Sequence, residues 1–447
     1  MQQNVGRAWS AFLGLSLLCV AGLAMIPPLR PCRRRTFGGE EFRGVFPDRM
    51  QGEFHEKSAK KLIALAVASL ASAPLWAQQS SSIQLYGVAD AFLKYGQWMG
   101  DDTSGVDDGG LNGSRVGFRG EETLGSGLKA VFVLEQGFNI DNGKSCCMSG
   151  ADDAYNGGSQ TFTRQAYVGL KGSFGQVALG RQYAPGYFID AYDALLSAVP
   201  SPQSWLSLLG NLTITPNSPA RWNNAVAYDG VFQSVSLSAI YSAGNRESDS
   251  GKNLLSPNGK RVDYDDDDKY GLALRYDNGP LKVGAIYHGI KYSEQNVVDG
   301  YAKGDDTQKE WFLGASYNFG MATLAGSYQQ GRDVMGLNGF DVDLWQVGVI
   351  VPVGVGNIHF SYGQADLDKV ANVLSRDVKP KSFTVAYTHA FSKRTTGYLG
   401  YNKIDYDDLT WNDALNLGQT DSSFNGHSGT GKVDDTDLFF VGMSHSF

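Results

Sequence analysis

The chain has 447 residues, 42% hydrophobic and 19% charged, with 56 glycines, a mean hydropathy of −0.25 and a net charge of −8. These values exclude a bundle of membrane helices, a collagen-like fibre and a disordered chain. The acidic balance argues against a nucleic-acid partner, whose binding footprint is basic.

Two short apolar runs open the chain. Ala11–Ile26 precedes Arg33, Arg34 and Arg35; Leu62–Trp76 follows Lys57, Lys60 and Lys61. The second run has the basic start, apolar centre and small-residue exit of a secretory signal. Residues 57–77 therefore read as a signal peptide cleaved after Ala77, with a buried core helix over Leu62–Trp76 as the other reading. Residues 1–56 read as an upstream extension outside the fold, or as a membrane anchor over Ala11–Ile26. Removing residues 1–77 takes away ten basic and five acidic side chains, so the net charge falls from −8 to −13. Of four cysteines, only the adjacent Cys146 and Cys147 remain, with no zinc spacing. A vicinal bridge, pairing between subunits and free thiols all stay open.

From Ile83 the apolar period is two. Ile83, Leu85, Ala89, Ala91 and Leu93 share one face; Gln84, Tyr86, Asp90 and Lys94 share the other. Such alternation describes strands with one apolar and one wet face. Sixteen strands are expected, near 83–95, 114–122, 128–138, 161–171, 175–182, 221–229, 233–242, 269–277, 281–292, 308–319, 321–330, 343–352, 356–366, 381–391, 395–406 and 436–447. Many have the nine to twelve residues a tilted strand needs to cross a bilayer.

The connections alternate short and long. Short ones include Asp229-Gly230-Val231, Asp277-Asn278-Gly279-Pro280 and Asn318-Phe319-Gly320; long ones lie near 96–113, 139–160, 183–220, 243–268, 293–307, 331–342, 367–380 and 407–435. A soluble sandwich has no reason to segregate loop lengths. A membrane barrel does, with short periplasmic turns and long outer loops. On the last strand Phe439, Val441, Met443, His445 and the terminal Phe447 share a face, the form of an outer-membrane assembly signal. The fold expected for 78–447 is an all-β, sixteen-stranded antiparallel transmembrane barrel.

The mature chain resembles the Gram-negative trimeric general-diffusion porins over its whole length. The matching segments are Leu85-Tyr86-Gly87, Arg115 to Glu121, Gly127-Leu128-Lys129-Ala130, Thr163 to Leu170, Gly180-Arg181-Gln182-Tyr183 and Phe447. The resemblance implies a homotrimer in outer-membrane lipid and lipopolysaccharide, exported by the signal peptide, that passes small hydrophilic solutes and ions passively. It also implies that the long loop 183–220, with Tyr192-Asp193-Ala194-Leu195, folds inward. Opposite that loop the resemblance puts an arginine ladder: Arg115, Arg164 and Arg221, with Arg181 as a further member. Inward orientation has its own support, because arginine facing lipid near mid-membrane costs roughly 2–4 kcal/mol. Asp190 and Asp193 are the facing acids, and from Ala194 to Tyr228 there is no Asp or Glu. Rings of arginine favour anions. Salt screens the distant loop acids beyond about 8 Å, so the channel is expected to be weakly anion-selective or near neutral.

Other readings are a substrate-specific channel, with Tyr187, Tyr192 and Trp205 stacking a ring, and a structural or adhesive barrel. His288, His359, His389, His427 and His445 are scattered without HExxH spacing, and no nucleophile elbow or phosphate loop occurs. No catalytic residue, metal or cofactor is expected. The run Asp265–Asp268 reads as a solvated loop edge or as oxygens for a divalent cation. Trp98, Tyr292, Trp311 and Trp345 are candidate interface anchors.

Overall fold

The computed structural model describes residues 81–146, 161–243, 268–292, 297–298, 301–302, 306–417 and 429–447. The expected extension and signal peptide, Cys147, and Asp265, Asp266 and Asp267 lie outside the described residues. Cys146 is disulfide-bonded.

The strands, in chain order, are β1 (Ser81–Trp98), β2 (Asp101–Asp108), β3 (Arg115–Gly125), β4 (Leu128–Gly137), β5 (Gln165–Gly172), β6 (Gly175–Tyr183), β7 (Arg221–Phe232), β8 (Val235–Ala243), β9 (Asp268–Asn278), β10 (Leu281–Lys291), β11 (Val297–Val298), β12 (Tyr301–Ala302), β13 (Thr307–Asn318), β14 (Thr323–Arg332), β15 (Val342–Val353), β16 (Gly356–Leu367), β17 (Lys381–Ala390), β18 (Thr395–Asp405) and β19 (Thr436–Ser446). Among the described residues two α-helices, α1 (Pro202–Leu209) and α2 (Trp411–Asn416), lie in connections. All strands but the β11–β12 hairpin form one antiparallel sheet. It closes where β1 pairs with β19, from Val88–Ser446 to Gln97–Asp437. Closure leaves no open edge, which is what lets strands cross lipid with every backbone group paired.

On its other side β1 holds two neighbours. Its first half pairs with β3 and its second half with β2. β2 and β3 thus share one stave, and the barrel has sixteen staves. The connection expected at 96–113 is therefore largely strand: only Met99 and Gly100 separate β1 from β2. Polar Asp101–Asp108 lacks apolar alternation, so its pairing follows from the neighbouring length of β1 rather than from its own pattern. The turn expected at Asp229-Gly230-Val231 is also displaced. These residues continue β7, and the reversal falls at Gln233 and Ser234, with Gln233 at φ 58°.

The side-chain alternation follows lipid outside and polar groups inside. Ile83, Leu93, Trp311, Leu313, Trp345, Val347, Phe439 and Val441 are exposed; Asp90, Glu135, Gln346, Ser361, Thr384, Asn402 and Ser444 are buried. Of the candidate anchors, Trp311 and Trp345 face outward. Trp98 turns inward onto Trp205, with ring centroids 4.5 Å apart. Tyr292 donates to Gln308 Oε1 at 2.9 Å.

The interior is not uniformly wet. Toward the long-loop rim, inward-facing Val342, Leu344, Ala365, Leu367 and Ile404 pack with Leu206 and Leu209 of α1, and with Phe340, Leu409 and Trp411 from the long connections. Burying one such leucine contributes roughly 1.5–3 kcal/mol. Ser201 caps α1, its hydroxyl accepting from the Gln203 amide at 3.2 Å, and Pro202 starts the helix. This apolar mass fills one side of the lumen.

Candidate functional site

The connection from β6 to β7 runs inside the barrel, and its length leaves it no backbone ladder of its own. Wall side chains supply the missing partners. Gln346 Nε2 donates to Tyr192 O at 2.6 Å, His359 Nδ1 to Ala194 O at 2.7 Å, and Thr384 Oγ1 to Pro200 O. At the loop's two ends the wall grips with a relay. The Gly186 amide donates to His288 Nε2 at 3.1 Å, so His288 Nδ1 carries the proton toward Thr213 Oγ1 at 3.0 Å. Thr213 Oγ1 in turn donates to Glu310 Oε1 at 2.8 Å. Glu310 is fully buried, and the amides of Thr213 and Ile214 and the side chains of Gln308 and Gln329 also donate to it. A side chain at Gly186 would put Cβ 2.6 Å from His288 Cε1 and 2.7 Å from Ile214 Cα, so only glycine fits there.

Held this way, the loop leaves a gap against β3, β5 and β7. A cavity of about 430 Å³ there is lined by Arg115, Arg164, Arg221, Tyr187, Asp190 and Asp108, among others. Of the residues expected at the narrow zone, the fold brings Arg115, Arg164, Arg221 and Asp190 together. Arg181 and Asp193 lie outside this lining. A bulge between Gly180 and Gln182 takes Arg181 out of register with β7. Arg181 Nε donates to Thr163 O at 2.7 Å and Nη1 to Asn223 Oδ1 at 2.6 Å. Asp193 is buried within the loop, where its carboxylate accepts from the Leu195 and Ser197 amides and the Ser201 hydroxyl. It shapes the loop from within.

Two groups escaped the sequence reading. Glu135, on β4, lies under the arginines. It accepts from Arg164 Nε at 2.9 Å, Tyr183 Oη at 2.6 Å and Tyr86 Oη at 2.8 Å, with Arg115 Nε 3.8 Å away. Strand parity was the available signal: Phe132 and Leu134 are apolar, so Glu135 falls on the wet face. The second is the stack of Tyr183 on Tyr187, of which the sequence reading had singled out Tyr187 alone. Tyr183 and Tyr187 lie 3.8 Å apart at 9°. Arg221 lies 5.8 and 5.5 Å from their ring centroids, and Arg164 5.8 Å from Tyr183. Planar guanidinium groups suit such stacking. Burial pushes the Tyr187 phenol up, but Arg164, Arg221 and Arg115 outweigh it and pull the phenol down to about 8.

Residues 64–409 match the family described as Gram-negative porin. The chain belongs to that family. As a porin it is an outer-membrane channel for passive diffusion. It is 31% identical to outer membrane porin protein 32 of Delftia acidovorans over 349 residues, 76% of this chain and 87% of the relative. It is 30% identical to an outer membrane porin protein of Bordetella pertussis, over 75% of this chain and 91% of that one. Among solved structures, the porin resembles the anion-selective porin from Comamonas acidovorans: TM-score 0.61, 27% identity, 82% of this chain and 100% of that one.

A second cavity, of about 760 Å³, continues toward the short-turn rim; Arg115 belongs to both linings. Arg119, Lys171 and Glu121 line this wider part of the porin, with Tyr86 and Tyr167.

Proposed function

We propose that this porin passes small hydrophilic solutes and ions through the gap beside the inner loop, weakly favouring anions or near neutral. The observation that carries the reading is the shared cavity of Arg115, Arg164, Arg221 and Asp190. Three guanidinium groups face Asp190 and Asp108 there, and Glu135 beneath them offsets a further charge. The local sum lies close to zero, although the chain as a whole is strongly acidic. A solved relative described as anion-selective agrees with the positive side of that range. Reversal potentials of the refolded chain in a potassium chloride gradient test the reading; clear cation preference would sink it.

The working assembly is a homotrimer in outer-membrane lipid and lipopolysaccharide, with no catalytic role. The outer face of β3–β6 supports the trimer. It presents Phe118, Val168, Val177 and Leu179 without tryptophan or tyrosine, whereas Trp311, Tyr328 and Trp345 stand on β13–β15. Interface anchors are enriched where a wall meets lipid headgroups. Native mass measurement in detergent gives the subunit number, and a monomer would remove this assignment.

A further inference from the structure

The inner loop stands between two walls. On one side it faces Arg115, Arg164 and Arg221 across the open cavity, which Asp190 also lines. On the other it rests against β10 and β13. Asp190–Tyr192 is one turn of 3-10 helix, and at about three residues per turn its first and last side chains leave the axis on different faces. Asp190 reaches the cavity, while Tyr192 is 2% exposed and packs among Ile189, Ile214, Ile286 and Phe312. Beneath its ring lie two glycines, Gly284 of β10 and Gly314 of β13, which pair with each other across the ladder. A Cβ at Gly314 would lie 2.5 Å from Tyr192 Cγ and 2.7 Å from Tyr192 Cβ. A Cβ at Gly284 would meet the far end of the same ring, 2.5 Å from Cζ. The ring therefore lies as a bar across both strands, at a closeness that only glycine allows. The bond from Gln346 Nε2 to the Tyr192 carbonyl draws the loop to the wall; the ring on its two glycines sets where it stops.

We propose that Tyr192 is the spacer that sets the channel's aperture: its ring fixes how far the inner loop stands from the wall behind it, and so how much width is left on the arginine side. An ordinary carbon–carbon contact is about 3.5–4.0 Å, so one methyl added at Gly314 displaces the ring by roughly 1 Å. Tyr192 Cβ does not move with its own rotamer, so the displacement passes to the loop backbone and carries Asp190 toward the arginines. The inference deepens the channel reading by naming the residue that fixes its width, and it rests on that reading for the path beside the loop.

The test is single-channel recording of the full porin in potassium chloride, joined to liposome swelling in neutral sugars of increasing size. Gly314→Ala thickens the support and should lower conductance, slowing the larger sugars more than the smaller. Tyr192→Ala thins the spacer and should raise conductance. Combining the two substitutions should return conductance toward that of the unmodified porin, which a merely destabilised loop would not do. Gly284→Ala is a second narrowing variant if Gly314→Ala does not fold. Gly326→Ala, on the outward face of β14 between exposed Leu324 and Tyr328, is the control and should leave conductance unchanged. Heat-modifiable migration scores folding independently of the current. Unchanged conductance in the folded glycine variants, or no rise in Tyr192→Ala, overturns the proposal. Cation preference of the unmodified porin in plain salt would defeat the anion reading and leave this comparison intact, so the two failures are distinguishable.

Discussion

Glu135 Oε1 accepts a hydrogen bond from Arg164 Nε at 2.9 Å, and both side chains are buried in the channel wall. Two hydroxyls, from Tyr86 and Tyr183, complete the carboxylate's shell. Arg164 lines the arginine cavity and Glu135 the wider cavity that continues from it, so the charge of the pair should act on ions passing there. Glu135→Gln keeps the shape and removes the charge. It is expected to move the reversal potential toward anions. Removing one partner of a buried pair also costs about 3–5 kcal/mol when its charge is left uncompensated, so thermal unfolding in detergent should come earlier.

Arg221 stacks over Tyr183 and Tyr187 and donates to Ser218 Oγ at 2.6 Å. Arg221→Glu reverses a charge in the cavity lining and should shift selectivity toward cations. Arg164→Glu should do the same, with a larger loss of stability, because the new carboxylate would meet Glu135. No shift with either variant would mean that these arginines do not govern the narrow zone.

Tyr187 is expected to give the channel an alkaline pH dependence. With its phenol near 8, raising the pH from 7 to 9 turns a neutral group into an anion beside Arg115, Arg164 and Arg221. Anion preference should therefore fall over that window and recover on return. Tyr187→Phe removes the titrating group, and its reversal potential should stay flat over the same range.

The relay from Gly186 through His288 and Thr213 to Glu310 holds the inner loop at both ends. Thr213→Val removes one donor and leaves a Glu310 lone pair without it, at about 1–3 kcal/mol. The loop should then fluctuate more, seen as added current noise and brief closures in single-channel traces. Quiet traces with unchanged conductance would show that the remaining anchors suffice.

Phe447 closes the seam between first and last strands. Its amide donates to Gly87 O at 3.0 Å and its carbonyl accepts from the Gly87 amide at 3.1 Å. A Cβ at Gly87 would lie 2.3 Å from the Phe447 ring and 2.6 Å from Arg115 O. Gly87→Val and Phe447→Ala are both expected to lower the yield of folded barrel, scored by heat-modifiable migration. Normal yield for both would separate the terminal ring from assembly.

Period two was legible from Ile83 onward because a strand in lipid must alternate. The consequences of that alternation could be read residue by residue: Ile83 and Leu93 point out, Asp90 points in. The sixteen staves followed from spacing; the inward course of the 183–220 loop came from resemblance, and Arg115, Arg164 and Arg221 from resemblance together with the cost of arginine in lipid. β2 was not legible, since Asp101–Asp108 pairs only because β1 is long enough to receive it. Arg181 was not legible either, since a bulge between Gly180 and Gln182 takes it out of register with β7.

The sequence by itself determined a closed wall of strands, because local alternation and loop length are properties of consecutive residues. Only the tertiary structure decided the electrostatics of the path. Glu135 reaches Arg164 across 29 positions and Arg115 across 20, Tyr187 reaches Arg221 from the far end of the inner loop, and Trp98 of the wall meets Trp205 of the inner loop. Charges and rings brought together by closure carry no periodic signature, and their sum depends on distances that only the closed barrel sets.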